Sequence, residues 1–315
     1  MKIVRFFEKK KAGVIKSYVS ILGVKVRIGE RPDEPVVTPE QFTSVLNAVV
    51  DIRSVPKARG PLRLLQDADL QLLKMFDRIC QREKIPYFLQ YGTLLGCIRH
   101  GGFIPWDDDL DVMVPTDAYA HLVETLERTF RDLPFRLYGL DETRCGNTTL
   151  RITHRDIPAL NLDVFTCYPL KAPLADLPNI EKECRRLKAW YAAEFAALPA
   201  ESREALGDLR ARADASFGKV AEICTCAEAT AFASHVSSPL ACVLPAVAVM
   251  PLRRAPFEGF EAQIPNNPET ILKKTYGDYN SFPRDFFKHA GFFMDFDQEA
   301  IMRVLPSLER MAETI

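Results

Sequence analysis

The chain has 315 residues, of which 47% are hydrophobic and 26% are charged, and its formal net charge is -1 at pH 7. This balance is typical of a globular protein with one large domain or two modest ones, and it gives no electrostatic drive toward nucleic acid. The N-terminal residues lack the continuous apolar run of a secretory signal peptide. The longest uncharged stretch, residues 236–252, is broken by prolines, so no transmembrane helix is predicted.

Residues 1–37 are predicted to form a basic N-terminal extension. Residues 1–31 contain nine Lys and Arg against two Glu, interleaved with apolar residues. Two interpretations stand: peripheral contact with an anionic membrane surface, at ~1 kcal/mol per basic residue, or a solvated extension or small hairpin around Gly23. Eight scattered cysteines suit a reducing compartment. The predicted location is therefore cytoplasmic, with the inner face of the membrane as a site of peripheral contact.

Helical and strand patterns follow one another between residues 38 and 165, which predicts a mixed β-sheet flanked by helices, an α+β fold. Helices are predicted at residues 38–55, 62–84, 94–99 and 116–131. Strands are predicted at residues 87–91, 109–114, 135–140, 148–153 and 159–165.

The segment from about residue 170 to residue 236 is charged and alanine-rich, which predicts a helical insertion. Strands are predicted again around residues 242–250 and 257–264, and a helix at 268–275 leads into the sequence Tyr-Gly-Asp-Tyr at 276–279. Cys224, Cys226 and Cys242 with His235 are zinc-binding residue types. However, Cys224 and Cys226 are closer in sequence than the paired cysteines of usual zinc knuckles, so the sequence leaves this site open.

Four aspartates crowd into five positions, at Asp107, Asp108, Asp109 and Asp111. From Asp109 onward polar and apolar residues alternate with the period of a strand, so Asp109 and Asp111 are predicted to share one face and Asp108 to point away. Two carboxylates ~4 Å apart repel by ~4 kcal/mol at an effective dielectric of 20, which a divalent cation would relieve. Asp163 lies in a second alternating segment and joins them if the two strands are neighbours. Mg²⁺ suits such a set, with Mn²⁺ as the alternative.

A glycine-containing turn precedes these aspartates by about fifteen residues. Gly92 and Thr93 are predicted to lead a strand into a short helix, whose free N-terminal amides would form an anion site. An ordinary strand-to-helix turn would explain the same residues. Their position upstream of the carboxylates favours phosphate binding.

Five segments together resemble the LicD-type phosphotransferases, the group that includes fukutin and its relatives. The resemblance covers roughly residues 61–290. The matching segments are residues 92–96, 98–100, 104–111, 162–165 and 276–279.

The resemblance implies a nucleotidyltransferase-like catalytic domain over residues 38–315, with the helical insertion at about 170–236. It also implies transfer of a phosphorylated small alcohol, such as phosphocholine or ribitol phosphate, from a CDP-activated donor to a cell-surface or lipid-linked glycan, with release of CMP. The implied donor-phosphate residues are Gly92, Thr93, Arg99 and His100, and the implied metal carboxylates are Asp109, Asp111 and Asp163. A base near the acceptor hydroxyl would help the transfer, and Asp107 and Asp163 are its candidates.

Two other functions fit parts of the pattern. Asp109-Leu110-Asp111 is also the DxD pattern of glycosyltransferases that bind a metal and a sugar nucleotide, although that class requires neither the glycine turn nor a third aspartate. A non-catalytic glycan- or nucleotide-binding protein is the other alternative. Three converging carboxylates argue against it, because their repulsion serves no purpose without a metal.

Overall fold

The computed structural model describes residues 4–11, 14–21, 24–31, 39–139, 150–198, 203–238, 242–283 and 297–315. The chain divides into two compact units, one of residues 1–54 and 280–289 and the other of residues 55–279 and 290–315. Gly23, Thr38, Leu140 and residues 148–149, where predicted elements turn, begin or end, lie outside the described residues. Every residue predicted for the site lies in the second unit.

The first unit contains a three-stranded antiparallel sheet and one helix. Its strands β1 (Val4–Lys11), β2 (Val14–Ile21) and β3 (Val24–Arg31) follow one another in the sheet, and α1 spans Pro39–Val49. The basic N-terminal segment therefore folds as a meander. Helix α1 ends six residues earlier than predicted and is followed by a short 3-10 turn at Ile52–Ser54.

The described part of the second unit is built on an eight-stranded mixed sheet, in which β5 and β8 are parallel and the other pairs are antiparallel. Its strands are β4 (Phe88–Leu89), β5 (Asp111–Pro115), β6 (Phe135–Gly139), β7 (Leu150–His154), β8 (Asn161–Lys171), β9 (Glu222–Ile223), β10 (Ala231–Ser234) and β11 (Val243–Pro245). The main path runs β11-β10-β8-β5-β4, while β7 and β9 also pair with β8 and β6 pairs with β7. The predicted α+β fold with a mixed sheet is confirmed.

Helices surround this sheet. They are α2 (Pro61–Arg82), α3 (Tyr91–His100), α4 (Thr116–Phe130), α5 (Leu177–Ala197), α6 (Arg203–Phe217), α7 (Ala246–Val249), α8 (Pro268–Tyr276) and α9 (Gln298–Thr314). Helix α2 begins with Pro61 in its first turn, where the backbone N–H that proline lacks would have no acceptor within the helix. The apolar face of α2 is fully buried and includes Leu65, Leu72 and Phe76. Within the part of the chain that the structure describes, no helix combines the length and apolarity needed to cross a bilayer.

The predicted helical insertion consists of α5 and α6, followed by the short strands β9 and β10. Its apolar core joins the sheet through Tyr168 of β8, whose ring stacks on Phe217 at a centroid distance of 4.3 Å. The sheet and the insertion thus share one buried core.

Two segments near the C-terminus differ from the sequence prediction. The single strand predicted at residues 257–264 is a hairpin of β12 (Arg253–Phe257) and β13 (Phe260–Ile264), which turns at Glu258 and Gly259, both at positive φ. The strand predicted at 242–250 stops at Pro245, which caps α7. Helix α9 was not predicted.

Candidate active site

Three neighbouring strands form the base of the site, and each contributes one charged residue that lies next to the charged residue of the adjacent strand. Asp111 opens β5 and pairs in register with Asp163 of the parallel strand β8, and Asp163 pairs in register with Arg151 of β7. Both aspartates are almost fully buried. Asp163 was expected to join the other aspartates if the two strands are neighbours, and the backbone pairing of β5 and β8 meets this condition.

Arg151 balances the charge of Asp163. Its Nε and Nη2 each lie 2.5 Å from one carboxylate oxygen of Asp163, which is the bidentate geometry of a strong ion pair. Burial raises the pKa of Asp163, and the guanidinium acts in the opposite direction. A cation bound by Asp163 would therefore share the carboxylate oxygens of Asp163 with Arg151.

Asp111 has a less favourable electrostatic environment than Asp163. Burial raises its pKa well above the usual value, the charges of Asp109, Asp163 and Asp107 raise it further, and Arg151 lowers it. A buried carboxylate among like charges is stabilised as an anion by a nearby cation or by hydrogen bonds that it accepts.

Residues 107–110 form a loop, because β5 begins at Asp111 and not at Asp109 as the alternation predicts. The strand period therefore does not apply to Asp108, and its carboxylate does not stand apart. One oxygen from each of Asp107, Asp108 and Asp109 lies within 4.8 Å of the other two. Among the described residues this is the group of acidic, His and Cys side chains compact enough to hold a metal ion.

Helix α3 brings its N-terminus to this acidic loop. It begins at Tyr91, so Gly92 and Thr93 lie in its first turn and not in a separate turn before it. Leu94 makes the first bond of the helix, to the carbonyl of Gln90 at 3.1 Å, which leaves the preceding amides without helical acceptors.

Thr93 fastens the start of the helix to the start of β5. Its hydroxyl accepts a hydrogen bond from the backbone N–H of Asp111 at 2.7 Å, and the side chain is buried. The backbone N–H of Gln90 donates to the carbonyl of Asp111 at 3.0 Å. The hydroxyl of Thr93 thus positions the start of β5, and its role in donor binding stays a prediction.

Gly92 makes room for Asp107. A Cβ atom on Gly92 would lie 2.6 Å from Oδ2 of Asp107, so this carboxylate rests against the Cα at the N-terminus of α3. Burial raises the pKa of Asp107 well above its usual value, and the charges of Asp109 and Asp108 add to this effect. A basic carboxylate in this position suits proton transfer.

The chain after α3 folds back across this helix and passes very close to Gly96 before it reaches the aspartate loop. A Cβ atom on Gly96 would lie 2.4 Å from the carbonyl oxygen of Gly102, so only glycine permits this crossing. Gln66 of α2 then holds the loop, since its Nε2 donates to the carbonyl oxygens of Ile104 at 3.2 Å and Asp107 at 2.8 Å.

The predicted basic pair ties α3 to the C-terminal motif. Arg99 donates from Nη1 to the carbonyl of Tyr279 at 2.6 Å and from Nε to Nε2 of His100 at 3.0 Å. Burial lowers the pKa of Arg99 to about 10, while the charges of Asp107 and Tyr276 oppose the change. Burial and the Arg99 charge lower the pKa of His100 to about 4, so His100 is neutral at pH 7. Contact of this pair with a donor phosphate stays a prediction.

Three residues near the site were given no role from the sequence, although Tyr276 lies in the segment 276–279 that resembles the family. Arg151 is one, and Tyr276 is another: burial and the charges of Asp111 and Asp107 raise the pKa of its hydroxyl, although 40% of the residue is exposed. The third is Asp69 of α2, which is fully buried. Burial raises the pKa of Asp69 well above the usual value, and the charges of Asp109 and Asp108 contribute.

The cysteines considered for zinc do not come together with histidine. His235 contacts Asp214 through Nε2 at 2.8 Å and Ser237 through Nδ1 at 2.7 Å. The backbone N–H of Cys226 donates to Asp117 at 2.9 Å. In the described residues these cysteines form no group with metal-ligand spacing.

Comparison with known proteins assigns the region that contains the loop and the strands. Residues 84–177 match the family model described as LicD/FKTN/FKRP, nucleotidyltransferase domain. The matched region resembles a LicD-type domain. The matched region contains the aspartate loop, α3, β5 and β8, so the resemblance identified in the sequence is confirmed.

Three curated relatives match parts of the chain. The lipopolysaccharide cholinephosphotransferase LicD of Haemophilus influenzae is 51% identical over 63 residues, which are 20% of this chain and 24% of that protein. Uncharacterized proteins of Rickettsia typhi and Rickettsia prowazekii are 37% identical over 83 residues and 35% identical over 80 residues. The matches span 26% and 30% of those two proteins, so the likeness concerns a part of each relative.

Proposed function

We propose that this protein is a divalent-cation-dependent phosphotransferase. It transfers a phosphorylated small alcohol from a CDP-activated donor to a cell-surface or lipid-linked glycan and releases CMP. The observation that carries this proposal is the meeting of the aspartate loop, the Asp111–Asp163 pair and the N-terminus of α3 at one place. The likeness to a lipopolysaccharide cholinephosphotransferase makes phosphocholine the first group to test.

The side chains at this place fit a small, hard cation. Mg²⁺ takes oxygen ligands in octahedral geometry and keeps several waters, and the oxygens of Asp107, Asp108 and Asp109 are within 4.8 Å of one another. The family resemblance implies Asp109, Asp111 and Asp163 as the ligands; of these three, Asp109 belongs to the compact group of described residues, and Mn²⁺ is the alternative cation. The cation would neutralise the charge on the donor phosphate and on the departing CMP.

The N-terminus of α3 would bind the donor. Its first amides lack helical acceptors, and the Asp107 carboxylate lies against Gly92 in the same turn, so these amides would be available to donate hydrogen bonds to a phosphate oxygen at the acidic loop. Transfer of a phosphoryl-type group depends mainly on positioning and charge neutralisation, which fixed amides provide without rearrangement.

Asp107 is the proposed general base. The acceptor hydroxyl attacks the phosphorus that carries the alcohol, its proton passes to the Asp107 carboxylate, and the bond from that phosphorus to the CMP oxygen breaks. The raised pKa of Asp107 makes its carboxylate a better proton acceptor than an exposed aspartate. Asp163 is less suited, because Arg151 occupies both of its oxygens.

A groove in the helical insertion is the proposed binding surface for the distant part of the glycan. It has a volume of about 1110 Å³ between α5, α6 and the end of β8, and it is lined by Trp190, Lys171 and Lys219 among others. Arg212 lies over the Trp190 ring at 5.2 Å. Lys171 follows Asp163 by eight residues along β8, which is about 26 Å at about 3.3 Å per residue. The groove would therefore bind sugar units that are several residues away from the sugar that accepts the phosphate group. We place the reaction at the cytoplasmic side of the membrane, with the basic meander β1–β3 as the segment that would contact lipid.

A donor panel tests the proposal. Purified protein with Mg²⁺ and a lipopolysaccharide acceptor is incubated with CDP-choline, CDP-ribitol, CDP-glycerol or CDP-ethanolamine. The proposal predicts CMP and a phosphodiester on the glycan with one of these donors. Release of a nucleoside diphosphate from a sugar nucleotide would instead show a glycosyltransferase, and release of pyrophosphate a nucleotidyltransferase.

A further inference from the structure

Asp69 is a buried acid outside the loop and strands that carry the predicted site. It lies in the middle of α2 with no exposed surface, and one of its oxygens, Oδ1, accepts the backbone N–H of Asn161 at 3.2 Å. Among the described residues, the other oxygen, Oδ2, has no hydrogen-bond partner. Buried polar atoms are almost always paired, so this oxygen calls for an explanation.

Asp69 lies close to the predicted cation site, since the charges of Asp109 and Asp108 act on its carboxyl group. Asn161 is the first residue of β8 and precedes Asp163 by two positions, so both side chains are on the same face of the strand. Gln66, three residues before Asp69 and on the same face of α2, donates to the carbonyl of Asp107. Asp69 therefore lies between the aspartate loop and the start of β8.

We propose that Asp69 is a positioning residue of the cation site: its Oδ1 fixes the start of β8, and its Oδ2 accepts a hydrogen bond from a water bound to the cation. This inference rests on the proposed function, because it requires the cation. Carboxylates that accept hydrogen bonds from the ligands of a metal ion typically raise the metal affinity about tenfold to a hundredfold. A bound water needs such a partner because Mg²⁺ retains several of its waters in protein sites.

Two substitutions separate this role from a purely structural one. Asp69→Asn keeps an oxygen for the Asn161 N–H but replaces the second oxygen with an amide group that cannot accept a hydrogen bond. Asp69→Leu removes both acceptors. The matched control is Asp67→Asn on the same helix, where the partly exposed carboxylate pairs with Arg63 at 2.6 Å.

The experiment is a Mn²⁺ titration of each full-length variant, with free Mn²⁺ measured by electron paramagnetic resonance and metal-free stability measured by thermal unfolding. We expect Asp69→Asn to bind Mn²⁺ at least about tenfold more weakly than wild type without losing metal-free stability. Asp69→Leu should lose both, and Asp67→Asn should bind like wild type. If Asp69→Asn gives no folded protein, Asp69→Ser, which also removes the second carboxylate oxygen, is titrated under the same criterion.

The outcomes distinguish this inference from the proposed function. Mn²⁺ affinity of Asp69→Asn within twofold of wild type would overturn the role of Asp69 and leave the phosphotransferase proposal intact. Absence of Mn²⁺ binding by the wild-type protein would overturn both.

Discussion

Asp111→Asn should make the metal-free protein more stable while removing its response to Mg²⁺. Asp111 is buried next to Asp163 and within reach of the charges on Asp109 and Asp107. Neighbouring strands are about 4.8 Å apart, and two like charges at about 5 Å repel by about 3 kcal/mol at an effective dielectric of 20. Arg151 offsets part of this repulsion. We therefore expect the free energy of unfolding to rise by about 1–2 kcal/mol and Tm to rise by about 2–8 °C.

The assay is thermal unfolding in EDTA, followed by a Mg²⁺ titration. A bound cation stabilises the folded protein by RT ln(1 + [L]/Kd), about 2.7 kcal/mol at 100 times Kd, so wild type should gain stability with Mg²⁺ and Asp111→Asn should gain far less. Asp156→Asn removes an exposed acid and serves as the control. A variant that is less stable than wild type in EDTA, yet responds fully to Mg²⁺, would refute the reasoning.

The stability of the metal-free protein should fall as the pH rises. The pKa of Asp111 is raised above its ordinary value of 3.8 in the folded protein, so the folded state holds this proton more tightly than the unfolded state. Metal-free wild type should therefore lose stability as pH rises from 3.8 through the raised pKa. The advantage of Asp111→Asn should be greatest at neutral pH and should vanish as pH falls toward 4.

Three further predictions follow from the same contacts. Gly92→Ala should displace the Asp107 carboxylate and abolish CMP release with little loss of Tm, whereas Gly96→Ala meets backbone and should lower Tm strongly; equal effects on Tm would contradict this. Arg151→Gln leaves a buried charge unpaired and should destabilise the metal-free protein by about 3 kcal/mol in denaturant unfolding, with part recovered by Mg²⁺. Trp190→Ala should raise the KM for a long glycan acceptor several-fold without changing the KM for the donor, and steady-state kinetics that show no change would exclude the groove.

The elements with strong local patterns could be predicted from the sequence. Helix α2 begins and ends within two residues of the prediction because its apolar residues recur at helical spacing and Pro61 marks its start. The strands of Asp111 and Asp163 could be predicted because both segments alternate with the period of a strand, but alternation does not predict that the two strands pair. Hairpin β12–β13 has a local signal in its sequence, the Glu258-Gly259 turn between two short strands.

The remaining site residues depend on contacts that no local pattern encodes. Arg151 reaches Asp163 through the register of β7 on β8, and this register follows a connection whose length does not determine it. Asp69 occupies a position in α2 that helical periodicity assigns to the core, and only the packing of α2 against β8 shows its neighbour Asn161. Strand β5 begins at Asp111 and not at Asp109, and the loop before it crosses α3 at Gly96, a long-range contact that the alternation does not encode.

The most direct test of the central claim is CMP release from CDP-choline with a lipopolysaccharide acceptor, measured for wild type with Mg²⁺, for wild type in EDTA and for Asp111→Asn with Mg²⁺. If phosphocholine is not the group transferred, the active donor of the panel takes the place of CDP-choline. We predict CMP in equal amount to the phosphodiester formed on the glycan for wild type with Mg²⁺, and at most background release in the other two reactions. Transfer that proceeds equally in EDTA or in Asp111→Asn, or failure of wild type with every CDP-alcohol of the panel, would contradict the account.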